Sequence, residues 1–467
     1  MKYSRYQPHQ TDEAPLIAPG PAGNLMFGNL YGIQDDRLHA FMRLREVYGD
    51  VVRLNIGPRI IHLVSHPDLI EYILKDNNRN YTKGRGLEKA KPLLGEGLLT
   101  SEGEFWRRQR RLAQPAFHRK KIAGFVSIMK QATGQLLTRW DERPDKTEPV
   151  NVAGEMMRLT LDVVSRTLFS TGLQPAETES VADALPFILR ETTRRLSSPF
   201  SLRERLPIQA NRKFEEELSA LNKIVFRIID ERRRIVETGG QDDLPQDLLG
   251  MLMFAQDEET GEVMDDRQLR DEVMTIFLAG HETTANNLAW TFYLLSKNPD
   301  ARLRLQEEVD QVLGGRSPDL EDIQNLVYTR QILDESLRLF PPAWAIGRQA
   351  IKEDQVGGYR IPPGSGIVIS SYIVHRHPEF WGNPEGFDPS RFEGQKVHER
   401  PHYAYIPFGG GPRLCIGNNF ALQEGTLVLA MIAQRYELNL VPGHPVIPET
   451  AITLRPRYGI QMTLQPR

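Results

Sequence analysis

Cys415 is the only cysteine among 467 residues, and it sits in a glycine-rich run, Phe408-Gly-Gly-Gly-Pro-Arg-Leu-Cys-Ile-Gly417. A lone thiol forms no internal disulfide, and one sulfur without neighbouring Cys or His completes neither a zinc site nor an iron–sulfur cluster. Heme iron is the metal that needs a single protein ligand. Gly409, Gly410, Gly411 and Gly417 are expected to remove Cβ atoms where a flat macrocycle would clash, and to permit positive φ angles that aim N–H groups at a thiolate. Two plainer readings share the pattern: a small buried hydrophobe beside a turn, and a phosphate-cradling loop, which here lacks both the G-K-[ST] ending and a preceding β-run.

Ala279-Gly-His-Glu-Thr-Thr284 lies inside a long apolar helical run. Glycine there costs about 1 kcal/mol against alanine, which is odd for a purely structural element. An acid–alcohol pair, Glu282 and Thr283, follows this glycine, although a threonine bonding back to a carbonyl four residues earlier and a glutamate on a solvated face would look the same in sequence. His281 does not share a face with its neighbours, and a surface or neighbouring-helix hydrogen bond is expected for it. Glu335 and Arg338 lie three apart on one helix, where their side chains can meet, and Trp106 and Arg110 lie four apart on another.

The pattern F-x-x-G-x-R-x-C-x-G is matched at every fixed position, and here the chain resembles the cytochrome P450 family of heme-thiolate monooxygenases. Residues 279–284 look like the family's A-G-x-[DE]-T-[TS] stretch, Glu335-Ser-Leu-Arg338 like its E-x-x-R pair, and Phe387-Asp-Pro-Ser-Arg-Phe392 like its F-x-P-x-R-F segment. The resemblance covers essentially the whole chain. It implies a mainly α fold with a small β component, with the heme between the oxygen-binding helix and the cysteine-loop helix, and one heme domain over residues 1–467. It implies Cys415 as the ligand of a heme b, flanked by Phe408 and Gly409, with Trp106, Arg110, Arg348 and Arg413 on the propionates. Thr283 would hydrogen-bond bound oxygen and Glu282 would relay protons where the helix locally opens. Glu335, Arg338 and Arg391 would form a buried ion network supporting the cysteine loop. Leu98, Leu99, Ala279, Ala343, Trp344, Ala345 and Ile346 would line an apolar substrate pocket.

With 40% hydrophobic and 25% charged residues and a net charge of −3, the composition is that of an ordinary globular protein without general affinity for nucleic acid or anionic membrane. Length alone allows about three domains, but no linker, repeat or low-complexity run divides the chain. The first residues are polar, with neither the ~20 apolar positions of a membrane anchor nor a signal-peptide core, and Pro15 to Pro21 reads as a stiff lead-in; a cytoplasmic location is expected. No flavin or iron–sulfur segment is present, so electrons must come from a separate donor, a ferredoxin or flavodoxin with its reductase. Arg107, Arg108, Arg111, Arg119, Lys120 and Lys121 form either a docking patch for that acidic partner or a solvated helix face. The substrate expected is apolar, a fatty acid, terpenoid or similar. A peroxide-using peroxygenase or isomerase, or a non-catalytic heme sensor, are the alternative functions on the same fold.

The elements that must position these residues are mostly helices. Periodicity and caps predict helices at 38–48, 106–113, 154–169, 208–237, 266–296, 299–313, 323–340 and 418–436, with a further one starting at Pro67. A hairpin over 51–56 and 60–64 crosses Gly57-Pro58, and strands are predicted at 366–370, 437–441 and 460–464.

Overall fold

The computed structural model describes residues 15–23, 29, 36–170, 175–197, 206, 208–239, 245, 247–257 and 259–467; the polar start of the chain, 1–14, lies outside them. Contacts divide the chain into two compact units, one of residues up to Arg85 with Gln331–Cys415, the other of Gly86–Arg330 with Ile416–Arg467.

The first unit is built on a five-stranded sheet. Val51–Ile56 and Arg59–Val64 form the hairpin, whose second strand pairs in parallel with Gly366–Ile369; that strand pairs antiparallel with Ile346–Ala350, and Tyr81–Thr82 closes the edge. The hairpin turn needs Gly57, at φ +56°, a region that only glycine enters freely. Val64, Ile70, Ile73, Leu74, Ile367 and Ile369 form a buried core that extends to Tyr403 and Ile406. The segment leading into Phe408 is therefore rooted in packed side chains.

In the second unit the helix Asp266–Lys297 runs along Val152–Phe169 and also touches Gln209–Gly239 and Asn418–Arg435. It opens on a capping box: the Asp265 carboxylate accepts from the Gln268 N–H at 2.7 Å and the Gln268 side chain accepts from the Asp265 N–H. Close approach of the two long helices is made at Gly280, where a Cβ would lie 3.2 Å from Val164. Small antiparallel sheets join Val150–Asn151, Gln461–Pro466 and Tyr436–Leu440, and separately Pro448–Thr450 with Leu454–Pro456.

One difference from the sequence reading has a clear cause. The helix expected over 323–340 is two, Leu320–Asn325 and Val327–Leu339. Glu308, on the helix Pro299–Leu313, reaches over to accept from the N–H groups of Tyr328 and Thr329 and from the Thr329 hydroxyl, so the second helix takes its cap from a distant residue. Helices Val126–Asp141, Pro175–Ser197 and Leu248–Met253 were not predicted at all.

Candidate active site

Cys415 lies at the end of an ordered loop in the first unit. Its N–H donates to the Phe408 carbonyl at 3.0 Å, closing the loop on itself, and Gly409 turns the chain at φ +76°. The Gly411 N–H donates to the Tyr403 hydroxyl at 3.1 Å. The positive φ expected in this run is found at Gly409 and Gly411, and a side chain at Gly410 or Gly411 would meet the protein itself. A Cβ on Gly410 would meet the Tyr403 ring, and one on Gly411, at φ +64°, would meet the Leu74 carbonyl. These glycines seat the loop against its own unit, and the Cys415 side chain emerges exposed from it. A single sulfur on a closed, glycine-seated loop is the donor set that fits a thiolate-ligated heme, which asks one ligand of the protein. Among the described residues no group of three or more His, Cys, Asp or Glu could hold a metal ion.

The same unit holds a buried ion network. Glu335 and Arg338 are both fully buried and paired in a bidentate fork at 2.6 and 2.7 Å. The remaining guanidinium donors go to the carbonyls of His375, Pro384 and Gly386. Glu335 also accepts from the Asp388 N–H at 2.8 Å and pairs with Arg391 at 3.4 Å. Burial pushes the Glu335 carboxyl up, against the opposing pull of Arg338. His375, which sequence reasoning missed, is a second tie: its Nδ1 meets the Arg338 carbonyl at 3.2 Å and its Nε2 accepts from the Ile406 N–H at 2.8 Å. That pairing fixes a neutral imidazole, and burial lowers its pKa to about 3. Arg348 lies on the strand Ile346–Ala350 opposite Ile367, and its guanidinium reaches the Gly347 carbonyl. Trp344 is buried, Ala345, Ile346, Phe408 and Arg413 are half-buried, and Ala343 is exposed.

In the second unit, Ala279 and Thr283 are accessible in the middle of a helix whose neighbouring residues are buried. The helix does not open at this point. It runs unbroken, and the Thr283 hydroxyl donates to the Ala279 carbonyl at 2.7 Å. Glu282 faces inward rather than to solvent, and its Oε1 accepts from the Thr453 hydroxyl at 2.7 Å, which in turn accepts from the Asn286 amide. Burial raises its pKa, while Thr453 and Arg455 hold it lower. Thr453 is 171 positions away in a turn between strands, and no local pattern marked it. His281 is not at the surface: it is buried, its Nδ1 meets the Phe277 carbonyl of its own helix, and burial lowers its pKa to about 4. Trp106 is buried and Arg110 donates to Gln114 at 2.8 Å, both on the helix Gly103–Ala113.

Much of the basic cluster on and after that helix is already engaged. Arg107 pairs with Glu104, Arg108 with Glu262 at 2.9 Å, and Arg111 with Asp257 and Glu259 at 3.0 Å each. Arg119, Lys120 and Lys121 stay exposed.

A family profile described as Cytochrome P450 matches residues 18–464. Cyclooctatin synthase of Streptomyces melanosporofaciens is 41% identical over 89% of this chain and 88% of its own length. Cyclooctat-9-en-7-ol 5-monooxygenase of the same organism is 38% identical over 86% of this chain and 85% of its own. Among solved structures, the cytochrome P450DA heme domain superposes with a TM-score of 0.87 at 29% identity, covering 97% of this chain and 99% of that one.

Proposed function

Because the chain belongs to the cytochrome P450 family, we infer that Cys415 is the iron ligand of a heme b and that the substrate is a terpenoid. The class itself follows from membership: the protein is a heme-dependent monooxygenase, an oxidoreductase that uses O2 and electrons from a redox partner to oxidise an apolar organic substrate. When bound, the heme supplies oxygen activation, with thiolate donation favouring O–O cleavage. Trp106, Arg110, Arg348 and Arg413 would hold its propionates through indole and guanidinium N–H groups. Phe408 and Gly409 flank the ligand, and Glu335, Arg338 and Arg391 brace its loop.

Proton handling falls to Glu282 and Thr283. Glu282 carries a proton more readily than an exposed carboxyl and exchanges it along the Thr453 hydroxyl. The Thr283 hydroxyl, tied to the Ala279 carbonyl, needs only a χ1 rotation to donate elsewhere. Leu98, Leu99, Ala279, Ala343, Trp344 and Ile346 bound the substrate. The terpenoid reading is supported by the two relatives named above, a cyclooctatin synthase and a cyclooctat-9-en-7-ol 5-monooxygenase.

The electron donor we propose is a ferredoxin or flavodoxin in the cytoplasm, docking on Arg119, Lys120 and Lys121 rather than on the ion-paired arginines. Among the described residues no helix is long and apolar enough to cross a membrane, and the whole chain is read as one heme-binding protein.

The observation that carries the proposal is the seating of Cys415 on its closed loop. Reduction under carbon monoxide is expected to give the red-shifted Soret band of thiolate-bound iron, and Cys415→His to abolish it. Reconstitution with ferredoxin, its reductase and NADPH should hydroxylate cyclic terpenes. Turnover with peroxide alone but not with reduced donor would replace the monooxygenase assignment by a peroxygenase.

A further inference from the structure

The segment Gly95–Ser101 is pressed onto the first turns of the helix Asp266–Lys297 by contacts that nothing in its own sequence requires. The Glu96 N–H donates to Asp271 Oδ2 at 2.8 Å, and the Leu98 N–H donates to Glu272 Oε2 at 3.1 Å. Both carboxyls are buried, Glu272 completely. Asp271 is itself held by Arg270 at 2.8 Å, and Arg270 donates to the Asn222 side-chain oxygen Oδ1, so the receiving carboxylate is held independently of the segment. The two glycines make the approach possible. A Cβ on Gly95, at φ +57°, would fall on the Asp271 carboxylate, and one on Gly97 would fall on the Thr275 hydroxyl and the Asp271 carbonyl. The segment is also folded on itself, with the Thr100 hydroxyl donating to the Gly95 carbonyl at 2.7 Å and the Ser101 N–H to the Gly97 carbonyl at 2.9 Å. Out of this arrangement only Leu99 projects an exposed large apolar side chain, at 38%, while Leu98 and Thr100 are buried.

We propose that Asp271 and Glu272 are positioning residues for substrate selectivity: they latch the backbone of Glu96 and Leu98 and so set where Leu99 stands against the substrate. The selectivity part rests on the reading of Leu99 as a pocket residue; the latch does not. At Glu272 the carboxyl serves as an acceptor, not as a charge, whereas Asp271 is ion-paired with Arg270. Burial pushes Glu272 up to about 8, and its neutral carbonyl oxygen accepts an amide hydrogen as well as a glutamine would.

The test compares Glu272→Gln, Glu272→Leu and Gly97→Ala in the heme-loaded protein. Amide hydrogen exchange at Leu98 reads the latch without turnover. Spectral titration with an acyclic and a polycyclic terpene reads selectivity as the ratio of their dissociation constants. Glu272→Leu is expected to speed exchange at Leu98 by about tenfold or more, the loss of one buried acceptor, and to shift the ratio, with an unchanged carbon monoxide spectrum. Glu272→Gln should keep both at wild-type values. Gly97→Ala, which lifts the segment with both carboxyls intact, should move the ratio in the same direction and decides the matter if Glu272→Leu does not fold. Wild-type exchange in Glu272→Leu overturns the latch. Faster exchange with an unmoved ratio, or an unmoved ratio in Gly97→Ala, overturns its role in selectivity. Absence of turnover in the wild-type protein with these exchange results intact counts against the monooxygenase substrate reading alone.

Discussion

Arg338→Met is the sharpest probe of how the cysteine loop is supported. The substitution keeps a similar volume but removes both hydrogen bonds of the fork to Glu335 and strips the carbonyls of His375, Pro384 and Gly386 of their Arg338 donor. Glu335 is left with the Asp388 N–H and a single longer ion pair to Arg391. Stranding a buried carboxylate in this way costs about 3–5 kcal/mol. A second route gives a similar figure. Glu335 can escape by taking a proton, and neutralising a carboxyl of ordinary pKa ~4.3 at pH 7 costs about 4 kcal/mol. The escape also sets the pH dependence. A folded-state pKa raised above the unfolded value means the folded variant binds the proton, so its deficit against wild type shrinks by about 1.4 kcal/mol for each pH unit below 7. Chemical denaturation at pH 7 and pH 6 measures both. The double variant Glu335→Leu with Arg338→Met, which carries no stranded charge, is expected to be more stable than the single one. A single-variant deficit under about 1 kcal/mol, one that does not change with pH, or a double variant worse than the single would refute the reasoning.

Thr283→Ala should bind heme and substrate normally while diverting reductant to hydrogen peroxide; an unchanged product yield per electron would clear Thr283 of any role. Thr453→Val removes the hydroxyl that holds the Glu282 pKa down, so the pH above which turnover declines for want of the Glu282 proton should move upward; an unmoved profile would disconnect Thr453 from proton delivery. Glu282→Gln should slow turnover by about 10²-fold, the usual loss for a positioned acid–base group, as measured by single-turnover kinetics. Charge reversal of Lys120 and Lys121 should lower the ferredoxin-dependent reduction rate and flatten its salt dependence, whereas reversal of Arg108, already paired with Glu262, should change it little; equal effects would place the docking patch elsewhere.

What could be read from sequence follows from the range of the interactions. Pro299–Leu313 is bounded by a first-turn proline and a left-handed Gly314, both local signals, and its predicted limits coincide with the observed ones. Cys415, Glu335 and Arg338 were visible because their spacing is itself the signal. The break at Leu326 depends on a cap from Glu308, and the partner of Glu282 is Thr453, so neither leaves a local trace. The partners of Gly410 and Gly411 were hidden for the same reason: the sequence says that a Cβ is excluded but not by what, and here Tyr403 and Leu74 supply excluding atoms. The basic cluster looked like a free patch because its acidic partners, Asp257, Glu259 and Glu262, lie well over a hundred residues downstream.

The imidazole of His375 has a consequence for how this protein meets acid. One ring nitrogen can only give and the other only receive, between a carbonyl of the Glu335–Arg338 helix and the backbone entering the cysteine loop. Protonation would set two donors, Nε2–H and Ile406 N–H, against each other in a sealed space. The folded state refuses that proton down to about pH 3, while an unfolded chain accepts it near 6.5, so acid draws the equilibrium toward unfolding without first loosening the brace. Acid inactivation is therefore expected as a cooperative collapse, with the environment of Cys415 lost together with the fold around it rather than ahead of it.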